Sequence, residues 1–236
     1  MSKVIVIPCL NEHDTLHEVL PLLKQHFPSW QILLVDDSSN FETKEFENNN
    51  IHVLPKMDKK RLGYARSLKI GLLTACHVLH ADLIIQMDAE HDIESLNKLI
   101  TYLQSSNEKF DLLVGREQMD KKHRRFKSEF ASFLARKLLG FNIHQPTCGL
   151  RLWTRNAILK VQWNKLKAKA FEIQVEIVYN AGMNGLIVAE TMINFHKRTK
   201  DKSKMKVRYI VYYLNNLARL TAKHLYHKLH YFILRS

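Results

Sequence analysis

The sequence predicts an α/β fold in which a mostly parallel central sheet carries helices on both faces. Short runs of β-branched and aliphatic residues alternate with segments of helical periodicity along the first half of the 236-residue chain. The strand-like runs are apolar at nearly every position, which is typical of strands buried on both faces of a parallel sheet. Such alternation of strands and helices indicates a sheet covered by helices.

Eight elements are predicted before residue 116, in the order strand, helix, strand, strand, helix, strand, helix, strand. The helices differ from the strands in their length and in apolar residues that recur every three or four positions. The segments are KVIVIP (3–8), EHDTLHEVLPLLKQHF (12–27), QILLVDD (31–37), IHVLP (51–55), RLGYARSLKIGLLTACHVL (61–79), DLIIQMD (82–88), IESLNKLITYLQSS (93–106) and FDLLVG (110–115).

The pattern changes after Gly115. Residues 116–140 predict a basic helix, residues 147–159 a turn or short strand that leads into a helix, and residues 170–185 a helix ended by glycines. We therefore expect one α/β domain over residues 1–201.

Residues 202–236 contain no acidic residue and predict a basic amphipathic helix, which we treat as an extension of that domain. Such a helix suits the surface of an anionic membrane, but its apolar face can equally pack on its own domain or on a partner chain. The predicted apolar face consists of Ile210, Tyr213, Leu214, Leu217, Leu220, Leu225, Leu229, Phe232 and Ile233.

The composition favours a globular protein with anionic partners. Lys and Arg number 36 against 23 Asp and Glu, which gives a formal charge of +13 and favours phosphates, nucleic acid or an acidic membrane surface. The three cysteines are far apart, odd in number and lack metal-ligand spacing, so they suggest neither a disulfide framework nor a zinc site. The sequence contains neither a signal-peptide pattern nor an apolar run of membrane-spanning length, and we expect a cytoplasmic protein.

Acidic residues gather at the ends of two predicted strands. Asp36 and Asp37 follow one strand, and Asp88, Glu90 and Asp92 follow another. Because ligands of open α/β sheets bind beyond the carboxyl ends of the strands, these acids are expected to converge on one crevice. Asp88 and Glu90 suit Mg²⁺ or Mn²⁺, and Asp37 suits a ribose or base. The alternatives are that Asp88 and Glu90 cap the helix near Ile93 and that DDSSN forms a simple turn.

The chain carries four motif-like segments in a fixed order. They are VIVIPCLNE (4–12), ILLVDDSSNFET (32–43), IIQMDAEHDIESL (84–96) and TCGLRLWTRNAI (147–158). Together they resemble signature segments of the inverting glycosyltransferases of family two, and most closely those of the dolichol-phosphate mannose synthase branch. The resemblance implies the GT-A fold and transfer of a sugar from a nucleotide to a polyprenyl phosphate.

The resemblance also implies roles for individual residues. Asp88 and Glu90 stand where the family has its Asp-x-Asp metal motif. VGR resembles the segment that carries an arginine, here Arg116, into the acceptor region. The matching residues of the nucleotide site are Pro8, Asn11, Glu12 and Asp37.

Four further segments of the chain resemble family segments. RFKSEFASFLARKLLG provides Arg125 and Ser128 as acceptor-side matches, and CGLRLW provides Gly149 and Arg151. The helix over residues 170–185 provides Glu176. RTKDKSK resembles the loop that folds over the diphosphate and provides Arg198, Ser203 and Lys204.

Some positions depart from the family pattern. Glu90 replaces the usual second Asp, Cys148 replaces a serine, and Asp201 replaces the glycine of the closing loop. Gln145 stands where an Asp is common, and a glutamine that helps to hold the metal in the mannose synthase branch has no counterpart. These changes leave donor identity and metal preference open.

The expected reaction is a metal-dependent transfer of a hexose from a nucleotide sugar, GDP-mannose by resemblance, to a polyprenyl phosphate. Asp88 and Glu90 with the metal, and Arg198 and Lys204, would stabilise charge on the leaving diphosphate. Because a phosphate monoester is already anionic at neutral pH, such an acceptor needs no general base. The protein would meet its lipid by docking on a membrane surface or through a membrane partner subunit.

Three other functions remain open at this point. Transfer to a sugar hydroxyl would keep the chemistry but require a base. A catalytically silent scaffold would keep the fold alone. A nucleic-acid-binding module would explain the charge, but the sequence lacks a nucleic-acid motif and acids at strand ends would repel a phosphate backbone. We therefore expect no nucleic-acid partner.

Overall fold

The computed structural model describes residues 1–39, 42–55, 61–106, 108–118, 126–194 and 207–233. They contain seven strands: β1 Lys3–Cys9, β2 Gln31–Asp36, β3 Ile51–Pro55, β4 Leu83–Gln86, β5 Leu112–Gln118, β6 Arg151–Thr154 and β7 Val188–Asn194. The helices are α1 His13–His26, α2 Tyr64–His77, α3 Ile93–Ser105, α4 Phe126–Leu139, α5 Arg155–Lys160, α6 Ile173–Met183 and α7 Val207–Ile233. Short 3-10 helices occupy Glu42–Phe46 and Trp163–Lys165.

The seven strands form one sheet in the order β3-β2-β1-β4-β6-β5-β7. Pairs β1–β2, β1–β4, β2–β3 and β5–β7 are parallel, whereas β6 runs antiparallel to both β4 and β5. The predicted α/β fold with a mostly parallel sheet is therefore confirmed. Strands β1, β2 and β4 are apolar and almost fully buried, as their continuous aliphatic composition predicts.

Two parts of the sheet differ from the prediction. Residues 116–118 were predicted as the start of a basic helix, but they continue β5, where Arg116 pairs with Met192 and Gln118 with Asn194 of β7. Strand β7 itself was not predicted. Pairing with a neighbouring strand supplies the backbone hydrogen bonds of this polar segment, and local composition does not reveal that partner.

Helix α7 packs on the domain by one side only. Leu217 and Leu220 are buried in a small cluster with residues of α4 and α6, and the Tyr213 hydroxyl donates a hydrogen bond to the carbonyl of Ala131. By contrast, Leu214 and Leu225 of the predicted apolar face are exposed. Part of that face therefore packs on its own domain. Within the described ranges, no helix is long and apolar enough to cross a membrane.

Candidate active site

The first two strands end side by side at one edge of the sheet. Cys9 of β1 lies opposite Asp36 of β2, and the backbone N–H of Asp37 donates to the Cys9 carbonyl over 3.0 Å. Asn11 follows with a positive φ of 53°, and its N–H donates to Ser38 Oγ over 2.8 Å. The loops that end β1 and β2 are thus joined directly.

The two aspartates that follow β2 have different partners. Asp36 accepts from the N–H of Ser38 and from the hydroxyl of Thr43, as expected of a turn. Asp37 instead reaches the segment before α2, where its carboxylate accepts from the N–H groups of Leu62 at 2.6 Å and Gly63 at 2.9 Å. Asp37 therefore holds the start of α2 at the strand ends.

The predicted nucleotide residues lie at this same edge. Pro8 is opposite Val35 near the end of β1, and Asn11 and Glu12 lie between β1 and α1. Together with Asp37 they lie just beyond or near the carboxyl ends of β1 and β2. Parallel strands place their carboxyl ends together, which explains this convergence.

Asp88 follows β4 at the same edge. The Tyr64 hydroxyl, from the first turn of α2, donates to Asp88 Oδ1 over 3.0 Å. A Cβ atom added to Gly149 would lie 3.0 Å from Asp88 Oδ2 and 3.7 Å from the Tyr64 hydroxyl. Because glycine has no side chain, the space beside Oδ2 stays open at this point.

Four buried or half-buried side chains form a directed series of hydrogen bonds that ends at Asp88. Trp153 Nε1–H donates to Gln86 Oε1 at 3.2 Å, and Gln86 Nε2–H donates to Gln174 Oε1 at 3.1 Å. Gln174 Nε2–H then donates to the Tyr64 oxygen at 2.8 Å, and Tyr64 donates to Asp88. Every donor points the same way, so each hydrogen bond of the series polarises the next, and the last one orients the Asp88 carboxylate.

The acid that caps α3 is Asp92. Its carboxylate accepts from the N–H of Ser95 at 2.6 Å and from the hydroxyl of Ser95 at 3.1 Å. Asp88 lies four residues before Asp92 in the chain, and its backbone N–H donates to His91 Nδ1. Glu90 lies in the turn between them. The capping task is thus performed by a different acid from Asp88.

Arg151 is a fully buried cation close to this series. Its Nε and Nη2 donate to the carbonyls of Cys148, Pro146 and Gln174 at 2.8–3.0 Å. Nη1 has no hydrogen-bond partner within the described part of the chain. Burial lowers the pKa of Arg151 to about 10. Arg151 therefore ties the loop before β6 to α6 and to the residue that supports Tyr64.

A cleft of about 440 Å³ opens beside the end of β5. Arg116 of β5 and Arg136 of α4 both line it, together with Ser132 and Gln145, and so do two acids, Glu117 and Glu129. Gln145 Oε1 accepts from the N–H of Glu117 at 2.7 Å, which fixes the loop before β6 against β5. The cleft thus presents two guanidinium groups.

Residues 148–150 lie between Asp88 and β5. Gly149 lies against Asp88, as described above, and a Cβ atom added to Gly115 would lie 3.2 Å from the carbonyl of Leu150 and 3.4 Å from Cys148 Sγ. Residues 148–150 therefore run between Asp88 on one side and the strand that carries Arg116 on the other.

Glu176 of α6 is buried, and its carboxylate contacts both backbone N–H groups and the side chain of an arginine. Its carboxylate accepts from the N–H groups of Lys167 at 2.9 Å and Ala168 at 2.7 Å, and it forms an ion pair with Arg219 of α7. Glu176 thus joins α6, the loop before it and α7. In this structure its contacts are with the protein itself.

The structure does not describe the side chains of several predicted site residues. Arg125, Arg198, Ser203 and Lys204 are not among the described residues, and Ser128 is placed only by its backbone position in α4.

The family profile described as Glycosyl transferase family 2 matches residues 4–161, more than half of the chain. The chain belongs to glycosyl transferase family 2. It is therefore a glycosyltransferase, as the motif resemblance implied.

Curated relatives of this family 2 glycosyltransferase include two proteins that match along most of their length. An undecaprenyl-phosphate mannosyltransferase from Micrococcus luteus is 26% identical over 87% of the chain and 88% of its own length. A polyprenol monophosphomannose synthase from Mycolicibacterium smegmatis is 27% identical over 86% of the chain and 80% of its own length.

Among solved structures, glucosyl-3-phosphoglycerate synthase from Mycobacterium tuberculosis, in complex with Mn²⁺, UDP-glucose and phosphoglyceric acid, is similar with a TM-score of 0.70. It is 15% identical and covers 94% of this chain and 79% of its own. This similarity confirms the GT-A type of fold.

Sequence reasoning missed the side chains that support Asp88 in this glycosyltransferase. Gln86 gave one available signal, since it is a polar residue within the apolar run LIIQ, and a buried polar group needs a hydrogen-bond partner. Tyr64, Gln174 and Trp153 gave no such signal. Arg136 was also missed as a neighbour of Arg116, because the register of α4 on β5 is a tertiary feature.

Proposed function

We propose that this glycosyltransferase transfers mannose from GDP-mannose to a polyprenyl phosphate with inversion at the anomeric carbon. The observation that carries the proposal is that residues 148–150 have the Asp88 carboxylate on one side and, on the other, the strand that carries Arg116 into a cleft shared with Arg136. An acid and two guanidinium groups placed in this way suit a donor diphosphate site next to an acceptor phosphate site. The two curated relatives, both named for polyprenyl and mannose substrates, support the same reaction.

The donor nucleotide is assigned to the crevice beyond β1 and β2. We assign its binding to Pro8, Asn11, Glu12 and Asp37. The Asp37 carboxylate already accepts hydrogen bonds from two backbone N–H groups, which fixes the start of α2. Its remaining lone pairs would accept hydrogen bonds from the nucleotide.

A divalent metal suits the residues that follow β4. Asp88 and Glu90 would hold it, since carboxylate oxygens are the ligands that Mg²⁺ and Mn²⁺ prefer, and Gly149 leaves room beside Asp88 Oδ2. When bound, the metal would neutralise charge on the leaving diphosphate. The series that ends at Tyr64 holds the Asp88 carboxylate in place.

The acceptor phosphate is assigned to the cleft that Arg116 and Arg136 line. Arg116 and Arg136 would bind its oxygens, with Arg125 and Ser128 as further contacts implied by the family pattern. Because a phosphate monoester is already ionised near neutral pH, its oxygen attacks without a dedicated base. The protein's task is then to align the acceptor with the donor.

The remaining assignments rest on the family pattern. Arg198, Ser203 and Lys204 would close over the donor diphosphate and stabilise its charge as it leaves. Gly149 would leave space beside Asp88, and Arg151 and Glu176 would fix the loops around α6. We assign catalysis to residues 1–201 and membrane contact to residues 202–236.

Membrane contact is supported by the free side of α7. Val207, Val211 and Leu214 are exposed at a spacing of four and three residues, and Leu225 and Leu229 continue the same side further along. The described helix carries Arg208, Arg219, Lys223 and Lys228 and no acid. Exposed apolar residues with cations suit the interface of an anionic bilayer. A membrane partner subunit would use the same side.

Membrane contact can be tested by sedimentation with vesicles. Wild type should sediment with vesicles of phosphatidylcholine and phosphatidylglycerol, and the double variant Leu225→Glu, Leu229→Glu should not. Leu22→Glu, at an exposed apolar position of α1, is the matched control and should sediment as wild type does. Equal sedimentation of all three proteins would exclude contact through α7.

The reaction is tested by transfer of labelled sugar to a polyprenyl phosphate in detergent. Wild type is supplied with GDP-mannose, UDP-glucose or a UDP-amino sugar, with Mg²⁺ or Mn²⁺, beside the variant Asp88→Asn. We expect label in the lipid fraction from GDP-mannose only, dependent on metal and absent with Asp88→Asn. Transfer from another donor would correct the sugar, and transfer to a sugar hydroxyl alone would overturn the assigned acceptor.

A further inference from the structure

A second cluster of metal-ligand atoms lies on the surface between α1 and the short 3-10 helix Glu42–Phe46. His13 and His17 are four residues apart, so both imidazoles project from the same face of α1. Their Nε2 atoms lie 2.9 Å and 2.8 Å from one oxygen of Glu45, Oε1. The three ligand atoms all lie within 4.8 Å of one another.

We propose that His13, His17 and Glu45 bind a zinc ion. Imidazole nitrogen and carboxylate oxygen are common zinc ligands, and three protein ligands leave the fourth tetrahedral position to water. The ligand atoms of a tetrahedral zinc ion lie about 3.3 Å apart, so each imidazole nitrogen needs to move about 0.5 Å away from Oε1. Small side-chain rotations at a half-exposed site achieve that.

Neighbouring rings hold the two imidazoles in this arrangement. The rings of His13 and His17 meet edge to face, with centroids 4.6 Å apart and planes at 81°. Phe46 packs on both, at centroid distances of 5.5 Å from His13 and 4.7 Å from His17.

The chemistry of this site differs from that of the Asp88 site. Two imidazoles and one carboxylate favour zinc and similar transition metals, whereas an all-oxygen ligand set favours Mg²⁺ or Mn²⁺. The side chains of His17 and Glu45 are 55% and 50% exposed, so an ion can enter from solvent. The two sites can therefore be distinguished by the metal used.

The site would brace the loops assigned to the donor nucleotide. His13 opens α1 directly after Asn11 and Glu12, and Glu45 belongs to the 3-10 helix whose Thr43 hydroxyl bonds Asp36. A zinc ion shared by α1 and this 3-10 helix would link the segments that follow β1 and β2. We therefore assign it a structural task.

The test is metal binding by the full chain, prepared without a histidine tag. Zn²⁺ affinity is measured by competition with a chromophoric chelator, and Co²⁺ is added as a spectroscopic probe of tetrahedral coordination. The variants are His17→Ala and Glu45→Gln, and His26→Ala, at an exposed position in the last turn of α1, is the matched control. The variant Asp88→Asn is measured in the same way, beside wild type, to separate the two sites.

We expect wild type, His26→Ala and Asp88→Asn to bind one Zn²⁺ and to show a tetrahedral Co²⁺ spectrum. In His17→Ala and Glu45→Gln the dissociation constant should rise roughly tenfold or more. Zn²⁺ should also raise the melting temperature of wild type and His26→Ala but not of the two ligand variants. Without metal, equal melting temperatures for wild type, His26→Ala, His17→Ala and Glu45→Gln would show that the variants fold.

Two results would overturn the proposal. One is the absence of stoichiometric Zn²⁺ binding by wild type, in which case Glu45 only accepts hydrogen bonds from two imidazoles. The other is binding that His17→Ala and Glu45→Gln leave unchanged or that Asp88→Asn abolishes. Neither result bears on sugar transfer, which is measured separately with Mg²⁺ or Mn²⁺.

Discussion

The hydroxyl of Tyr64 donates a 3.0 Å hydrogen bond to the carboxylate of Asp88, which lies 24 residues further along the chain. Burial, and then the negative charge of Asp88, raise the pKa of this hydroxyl well above its ordinary value. The hydroxyl therefore stays protonated and remains a donor at neutral pH. Gln174 supplies its second hydrogen bond and fixes the oxygen in place.

Removal of this hydroxyl should weaken the metal site that we propose at Asp88. In Tyr64→Phe, Asp88 loses a donor that orients its carboxylate, and Gln174 loses an acceptor. We expect the Mn²⁺ concentration for half-maximal transfer to rise roughly 10–100-fold, and stability to fall by about 1–3 kcal/mol. Tyr102→Phe, which removes a partly exposed hydroxyl bonded to Glu108, is the control. An unchanged metal requirement in Tyr64→Phe would contradict the orienting role.

Gly149 should not tolerate even one methyl group. In Gly149→Ala the new Cβ would lie 3.0 Å from Asp88 Oδ2, which is closer than ordinary contact and occupies the space beside the carboxylate. We expect transfer activity to fall at least tenfold, on the scale of other changes beside a metal ligand. The measurement is the initial rate at saturating metal and donor.

The matched control is another glycine of the same protein. A Cβ atom added to Gly182, in α6, meets no atom within 4 Å. Gly182→Ala should therefore keep full activity and raise stability by about 0.5–1 kcal/mol, because alanine has the better helix propensity. Equal activity of Gly149→Ala and Gly182→Ala would show that the space beside Asp88 is not needed.

The inner strands were predictable because burial alone determines them. The runs that became β1, β2 and β4 are continuously aliphatic, and a sheet covered on both faces requires that composition. Strand β7 and the end of β5 carry polar residues such as Arg116 and Glu190. Their pairing depends on a partner distant in sequence, which local composition does not encode.

The site was predictable only in part, for a similar reason. Asp88 could be selected because an acid directly after a buried strand lies at the ligand edge of the sheet. Tyr64 and Gln174, which support it, come from two helices whose packing brings them together. Side chains that meet through tertiary packing leave no spacing pattern in the sequence.

The cysteines should be unreactive in the folded protein. Burial, and then the charge of Glu117, raise the pKa of Cys148 to about 12, and burial with Asp36 raises that of Cys9. Burial also raises the pKa of Cys76. At pH 8 all three thiols are protonated, and the thiolate is the reactive form. We expect slow reaction with a disulfide reagent in buffer and three fast equivalents in denaturant.

The same shift predicts a loss of stability at high pH. The folded-state pKa of Cys148 is raised, so its contribution is complete below the ordinary value of 9.0 and is lost as the pH rises toward about 12. Between these two pH values the free energy of unfolding falls by roughly 1.4 kcal/mol per pH unit. Urea unfolding at several pH values should show a flatter decline for Cys148→Ala. An identical decline in both proteins would contradict the shift.

Glu176 should contribute to stability more than its ion pair with α7 suggests. Its carboxylate accepts two backbone N–H groups besides pairing with Arg219. In Glu176→Gln an amide group replaces one oxygen, so a donor faces backbone donors, and we expect a cost of about 2–3 kcal/mol. In Arg219→Met the ion pair is lost, together with the hydrogen bond that Arg219 donates to Asn216 Oδ1 over 2.6 Å. Arg219 is 39% exposed but Glu176 only 2%, so its carboxylate stays buried and keeps its two backbone donors. We expect a cost of about 1–2 kcal/mol, below that of Glu176→Gln. Urea unfolding of both variants measures the difference. Equal costs would mean that the ion pair, and not the backbone contacts, is what Glu176 provides.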